Sequence, residues 1–305
     1  ALIHITAVAA RRGIRNDLDA FDKLGRSVPV LVDLKPSGAH YMEHLHDAGG
    51  LSAVLRELRP FLHLDVPTVS GKTLGETIAE SEINPTQQVI RSPENPIFPV
   101  GGIAVLKGNL APLGAVIKHS SATPQLLKHT GRAVVFDSLD DLAERIDAPG
   151  LTVNADDVLV LRNAGPRGAP GMPEAGYIPI PKKLAQQGVK DMVRISDARM
   201  SGTAFGTIVL HVAPEAAVGG PLALVETGDP IRLDVDARTL ELCVAPDELE
   251  RRRARLVPPQ SEASVSGYRP LYLDHVLQAD AGCDFDFMVG DRLQESAPVP
   301  LASQR

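Results

Sequence analysis

From residue 83 to about residue 244 the chain alternates short apolar runs with Gly, Pro, Asn and Asp turns. The runs include "GGIAVLKGNLAP", "GAVIKHS", "GRAVVFDS", "DDVLVLRNAGP", "DMVRISDA", "GTIVLHVAP" and "PLALVETGDPIRLDVDARTLELCV". Short β-branched runs bounded by turn residues read as strands, and the last stretch reads as a meander turning at "ETGD" and "DART". About eight such strands with few long helices predict a closed or nearly closed barrel. Two helices, "LDDLAERI" and "PKKLAQQG", punctuate it.

Residues 1–82 follow a different rhythm, of helix and loop. "ALIHITAVAARRGI" carries Leu2, Ile5, Val8 and Ala9 at helical spacing. It lacks an initiator Met and reads as the middle of an apolar helix, so a fragment is expected. Asn16 or Asp17 can cap the next helix, "VPVLVDL" is a short buried strand, and a later helix carries Leu51, Val54, Leu55 and Leu58 on one face. A helix in "SGKTLGETIAES" has Ser70 or Thr73 near its start. "PDELERRRARLV" predicts a charged helix with Arg251 to Arg253 on a solvated face, and beyond it lies a tail with one element at "LYLDHVLQAD". The fold class expected is mixed α/β. Residues 1–82 form the helical end of an α/β domain, 83–258 a β-barrel domain flanked by helices, and 259–305 a C-terminal tail.

Composition narrows the function classes. Among 305 residues 44% are hydrophobic and 23% charged, and the net charge is −7. That profile is globular, and the charge argues against nucleic acid as a partner. No run approaches the roughly 18 apolar residues of a membrane span, and no signal peptide opens the chain. Two cysteines, Cys243 and Cys283, are too few for a disulfide framework or a complete cysteine-ligated cluster, and a cytoplasmic location is expected.

Two stretches interrupt the strands with chemistry-bearing residues. "RNAGPRGAPGMPEAGYIP", residues 162–179, is too rich in Gly and Pro for helix or regular strand. Its one carboxylate, Glu174, is held by Pro173 in a stiff loop, as a hard-cation ligand requires. "RISDARMSGTAFG", residues 194–206, presents Ser201 beside Arg199 and two glycines. A serine acts as nucleophile or base only if a neighbour lowers its pKa, and otherwise bonds nearby backbone. Neither a Ser-His-Asp arrangement nor a nucleophile elbow is evident. His40 and His44 stand four apart but lack the zinc-protease order, and a helix-surface role is expected for them.

Together "DLKPSG", "GGIAVLKGNLAP", "GAVIK", "GRAVVFDS", "GPRGAPGMPEAG" and "ISDARMSGTAFGTIVLHVAPEAAVGGPLALVETGD" resemble the dihydroxy-acid and sugar-acid dehydratase family over residues 1 to about 290. "DARMSGTAFG", "TVSGKTLGE" and "QADAGCDFDF" look more like its aldonate branch. The resemblance implies a hydro-lyase that converts a sugar acid such as L-arabinonate to a 2-keto-3-deoxy acid. The alternatives are a dihydroxy-acid dehydratase of branched-chain biosynthesis and a non-catalytic barrel module. It further implies Ser201 as the base that removes the C2 proton, Glu174 as a ligand of the catalytic Mg2+, and Thr203 as a substrate-orienting residue. A 2Fe-2S cluster is implied as well, with its three cysteines and most Mg2+ ligands in a region expected to precede this chain. Neither Cys243 nor Cys283 matches them, so the chain alone is expected to be inactive. A homodimer or homotetramer is the implied assembly.

Overall fold

The computed structural model describes residues 1–14, 17–79, 84–202, 204–257 and 266–290. They fall into two compact units: Ala1–Asp22 with the chain from Ile103 onward, and Lys23–Gly102.

The first unit is organised by a closed barrel of eight strands. These are β1 (Ala104–Gly108), β2 (Ala111–Ile117), β3 (Lys128–Phe136), β4 (Val158–Leu161), β5 (Arg194–Ser196), β6 (Ile208–Ala213), β7 (Pro230–Asp234) and β8 (Thr239–Leu242). Around the barrel they run β1-β2-β6-β5-β4-β3-β7-β8. The four strands from β3 to β6 pair in parallel with one another. Strands β1–β2, β2–β6, β3–β7 and β7–β8 pair antiparallel. The cylinder closes where β8 meets β1 in parallel, at the single pair Lys107 and Thr239. Asn109 extends that seam: its Nδ2 donates to Leu242 O at 2.8 Å and its Oδ1 accepts from Leu242 N at 2.7 Å.

The strand composition follows from burial on both faces. Ala133, Val135, Val158 and Val160 point into a cluster that draws residues from all eight strands and fills the barrel. Their alternates Val134, Phe136, Leu159 and Leu161 face a second cluster, joined by Leu142 and Leu184 from flanking helices. Successive strand residues face opposite sides, so a strand covered on both reads as an unbroken apolar run. "PLAL" within the expected meander is a short 3-10 turn, Pro221–Leu224, before β7 and β8.

Helix α1 (Leu2–Arg11) turns a different face inward from the one its apolar spacing suggests. Ile3 and Thr6 are buried, while Ile5 and Val8 are 50% and 66% exposed. Asp17 caps α2 (Leu18–Ser27) by accepting from Ala20 N at 2.9 Å, and Leu18 packs on Val105 and Val116 of the barrel.

In the second unit α3 (Met42–Asp47), α4 (Gly50–Glu57) and α5 (Leu74–Ala79) accompany a small core of Ala48, Ala53, Val89 and Ile90. Leu51, expected on the apolar face of α4, is 70% exposed, and Ala53 is buried instead. "VPVLVDL" makes isolated bridges, Val30 with Phe98 and Val32 with Ile90. Thr73 and Glu76 form a reciprocal cap at the start of α5.

Returning to the barrel unit, α6 (Leu139–Arg145) and α7 (Lys182–Ala185) stand where the two helices were expected. In α8 (Pro246–Arg255) the basic run is not wholly solvated. Arg252 is half-buried and pairs with Asp229, at 2.5 and 3.1 Å, while Arg251 and Arg253 are exposed. The "LYLDHVLQAD" element is helix α9 (Tyr268–His275).

Candidate active site

β5 and β6 are parallel neighbours, so residues 197–207 must carry the chain from the end of one strand back to the start of the other. The return path is tied down at several points. Gly206 N donates to Ser121 O at 2.9 Å, Lys118 Nζ donates to Gly202 O at 3.2 Å, and His211 N donates to Ala198 O at 3.1 Å. Asp191 accepts from Thr207 N and Oγ1, from Thr123 Oγ1, and from Arg194 Nη2 at 2.7 Å. Arg194 and Asp191 are both almost wholly buried. Gly206, at φ 128°, lies against this pair, and a Cβ there would sit 1.8 Å from Arg194 Nη2.

The Gly/Pro loop that follows β4 is held by two buried carboxylates. Asp197 accepts from Asn163 N at 3.2 Å, Ala164 N at 2.9 Å and Ala216 N at 3.0 Å. Glu215 accepts from Arg167 N, Gly168 N and Gln278 Nε2 at 2.7 to 3.0 Å. Burial pushes the Asp197 carboxyl up to about 6, and the Glu215 charge adds to the rise, against the pull of the three N–H donors. Further along, Gly176 N donates to Arg199 O at 2.8 Å, an approach so close that a Cβ at Gly176 would strike Leu210.

These ties bring the two loops to one place. Glu174, Tyr177, Met200, Ser201, Ala204 and Phe205 line a groove of about 350 Å³. Arg199 spans the loops, with Nη1 3.3 Å from Glu174 Oε1 and Nε donating to Met172 O at 2.5 Å. Glu174 and Ser201, singled out in the sequence, therefore share a groove, whereas Thr203 lies outside the described residues. On the far side of Arg199 and Met200, His4, His211, Tyr272 and Cys283 line another cavity, of about 430 Å³.

Sequence reasoning did not single out Lys118, Asp191, Arg194, Asp197 or Glu215. The available signal was charge at the edge of apolar strands: Asp197 follows "RIS" directly, and Glu215 follows "HVAP". His44 accepts from Tyr41 N through Nδ1 at 3.0 Å and so caps α3. As for metals, no group of three or more His, Cys, Asp or Glu side chains among the described residues is placed to hold an ion. Glu174 fits as a single ligand, since its half-exposed carboxylate offers hard oxygen to the groove. The cysteines do not fit an iron–sulfur cluster. Cys243 is exposed, Cys283 lines the cavity with His4 and His211, and neither belongs to a group of three or more His, Cys, Asp or Glu side chains among the described residues.

Comparison with known proteins gives the lineage. The Dihydroxy-acid/6-phosphogluconate dehydratase C-terminal family model matches residues 88–283, and the corresponding N-terminal model matches residues 1–77. The chain is 52% identical to the L-arabonate dehydratase of Azospirillum brasilense, over 99% of this chain and 53% of that protein. It is 50% identical to the 6-deoxy-6-sulfo-D-gluconate dehydratase of Pseudomonas putida, over 98% of this chain and 52% of that protein. To the dihydroxy-acid dehydratase of Methanosarcina barkeri it is 42% identical, over 92% of this chain and 50% of that protein. The chain thus spans about half the length of the curated relatives it matches. It belongs to the dihydroxy-acid/6-phosphogluconate dehydratase family.

Proposed function

We propose that the protein carrying this chain is a hydro-lyase that removes water from a sugar acid, with L-arabinonate ahead of D-xylonate and D-galactonate. The observation that carries this reading is the meeting of Glu174 and Ser201 in one groove. Both come from loops that lack regular structure and are fixed by buried side chains. A groove holding a carboxylate and a hydroxyl suits proton abstraction next to a carboxylate carbon. The higher identity to the arabonate and sulfogluconate dehydratases than to the dihydroxy-acid dehydratase supports an aldonate.

In this mechanism Ser201 Oγ, as the alkoxide, takes the C2 proton of the hydroxy acid. The electron pair of that bond forms the C2–C3 double bond as hydroxide leaves C3. The proton and the hydroxide together make one water, and the enol left behind tautomerises to the 2-keto-3-deoxy acid. Glu174 would hold Mg2+, which supplies Lewis acidity toward the substrate carboxylate and C2 hydroxyl. Arg199 keeps Glu174 directed into the groove. No iron–sulfur ligand is assigned to this chain. Residues 83–258 act as the catalytic barrel domain, residues 1–82 as the end of the preceding domain, and 259–305 as a tail. The working form is a cytoplasmic homodimer or homotetramer.

Assay of the complete gene product against L-arabinonate, D-xylonate, D-galactonate and 2,3-dihydroxyisovalerate tests the assignment. Turnover of an aldonate is expected. Turnover of 2,3-dihydroxyisovalerate alone would replace this reading with the branched-chain enzyme.

A further inference from the structure

Lys118 follows β2 directly, on the segment that fastens the Ser201 loop at two points beyond the serine. Its Nζ donates to Gly202 O at 3.2 Å, and three residues later Ser121 O accepts from Gly206 N at 2.9 Å. Lys118 is half-buried, and among the described residues it donates to no carboxylate. That is unusual, because removing an ammonium from water costs free energy that structural lysines recover by ion pairing. Consistent with this, burial lowers the Lys118 pKa from its ordinary value. The other cation of the loop is already occupied, since Arg199 serves Glu174 and Met172 O. A serine works as a base only beside something that favours its ionised form.

We propose that Lys118 is a positioning residue for the reaction: it fixes the Gly202 peptide, hence the Ser201 hydroxyl, and places one residue from it a positive charge that no carboxylate among the described residues pairs. The inference rests on the reading of Ser201 as the base. Among the described residues that charge meets no carboxylate at rest, and it becomes favourable when negative charge develops on Ser201 or on the substrate. Its contribution therefore grows toward the transition state, the kind of interaction that raises kcat rather than binding.

The test uses the complete, cofactor-loaded gene product with four variants: Lys118→Met, Lys118→Arg, Ser201→Ala and the Lys118→Met/Ser201→Ala pair. Lys118→Met is expected to lower kcat about tenfold or more while KM changes less than about threefold. Lys118→Arg, which keeps the charge and the donor, restores most of the turnover. In the Ser201→Ala background the Met substitution adds little further loss, because the group it serves is gone. Amide hydrogen exchange over residues 199–206 gives a readout independent of activity, and it should speed up in Lys118→Met but not in Lys118→Arg. Wild-type kcat in Lys118→Met, or a loss confined to KM, overturns the inference while an inactive Ser201→Ala leaves the base assignment standing. A fully active Ser201→Ala overturns the base assignment itself.

Discussion

Ser201 and Glu174 differ in what their removal takes away. Ser201→Ala deletes the proposed base while the ties at Gly202 and Gly206 remain, so kcat should fall by about 10²- to 10⁴-fold with little change in KM. A turn-stabilising hydroxyl would instead show near-normal turnover and about 1 kcal/mol lost stability. Steady-state kinetics and a melting curve separate the two. Glu174→Gln weakens the proposed Mg2+ ligand, and its activity should recover in part when magnesium is raised. Asp197 acts on the fold. Its carboxyl sits at about 6, above the ordinary 3.8, so the native state holds the proton more tightly than the unfolded chain. Its contribution to stability is therefore greatest below pH 4 and is lost as pH rises toward 6, by about 3 kcal/mol at most. Asn has no such proton. The stability of Asp197→Asn relative to the wild type should thus improve between pH 4 and pH 7, read from denaturant midpoints. An unchanged difference would place the Asp197 pKa at its ordinary value.

At the scale of elements, the return loop from β5 to β6 depends on Gly206 packing against the buried Arg194–Asp191 pair. Gly206→Ala puts a methyl on that guanidinium. It should cost about 3 kcal/mol, in the range for breaking a buried pair, and show as a lowered melting temperature even at saturating magnesium. The strands themselves were legible in the sequence. "AVVF" and "VLVL" are apolar on both faces because a filled interior and an outer helical layer each claim alternate residues. The groove was legible in part. Glu174 and Ser201 stand out locally, since Gly and Pro around one and small residues around the other exclude regular structure. What places them together was not, because Asp197, Glu215 and Asp191 act through contacts between distant parts of the chain. Helix faces were the least legible. In α1 the inward face carries Ile3 and Thr6, and Thr6 satisfies its hydroxyl on Leu2 O and so passes as a core residue.

For the molecule as a whole, the joints of the barrel are unequal. β3 meets β7 over five residue pairs and β4 over four, whereas β8 meets β1 at one. Much of that last joint is made by the Asn109 amide on Leu242 and by Lys107 N donating to Arg238 O at 2.9 Å. Asn109→Ala should release the Leu242 amide to exchange while Leu159, bonded to Val193 O deep among the parallel strands, keeps its protection. Mass spectrometry of deuterium uptake reads the contrast, and equal loss at both sites would mean that the cylinder opens only as a unit. The order of events in time follows from the same inequality. A joint this narrow, between segments so far apart in the chain, contributes little until the rest of the ring stands. Closing the ring is then the slow, late step of folding, and the same joint is the first to part when the protein is pulled open or heated.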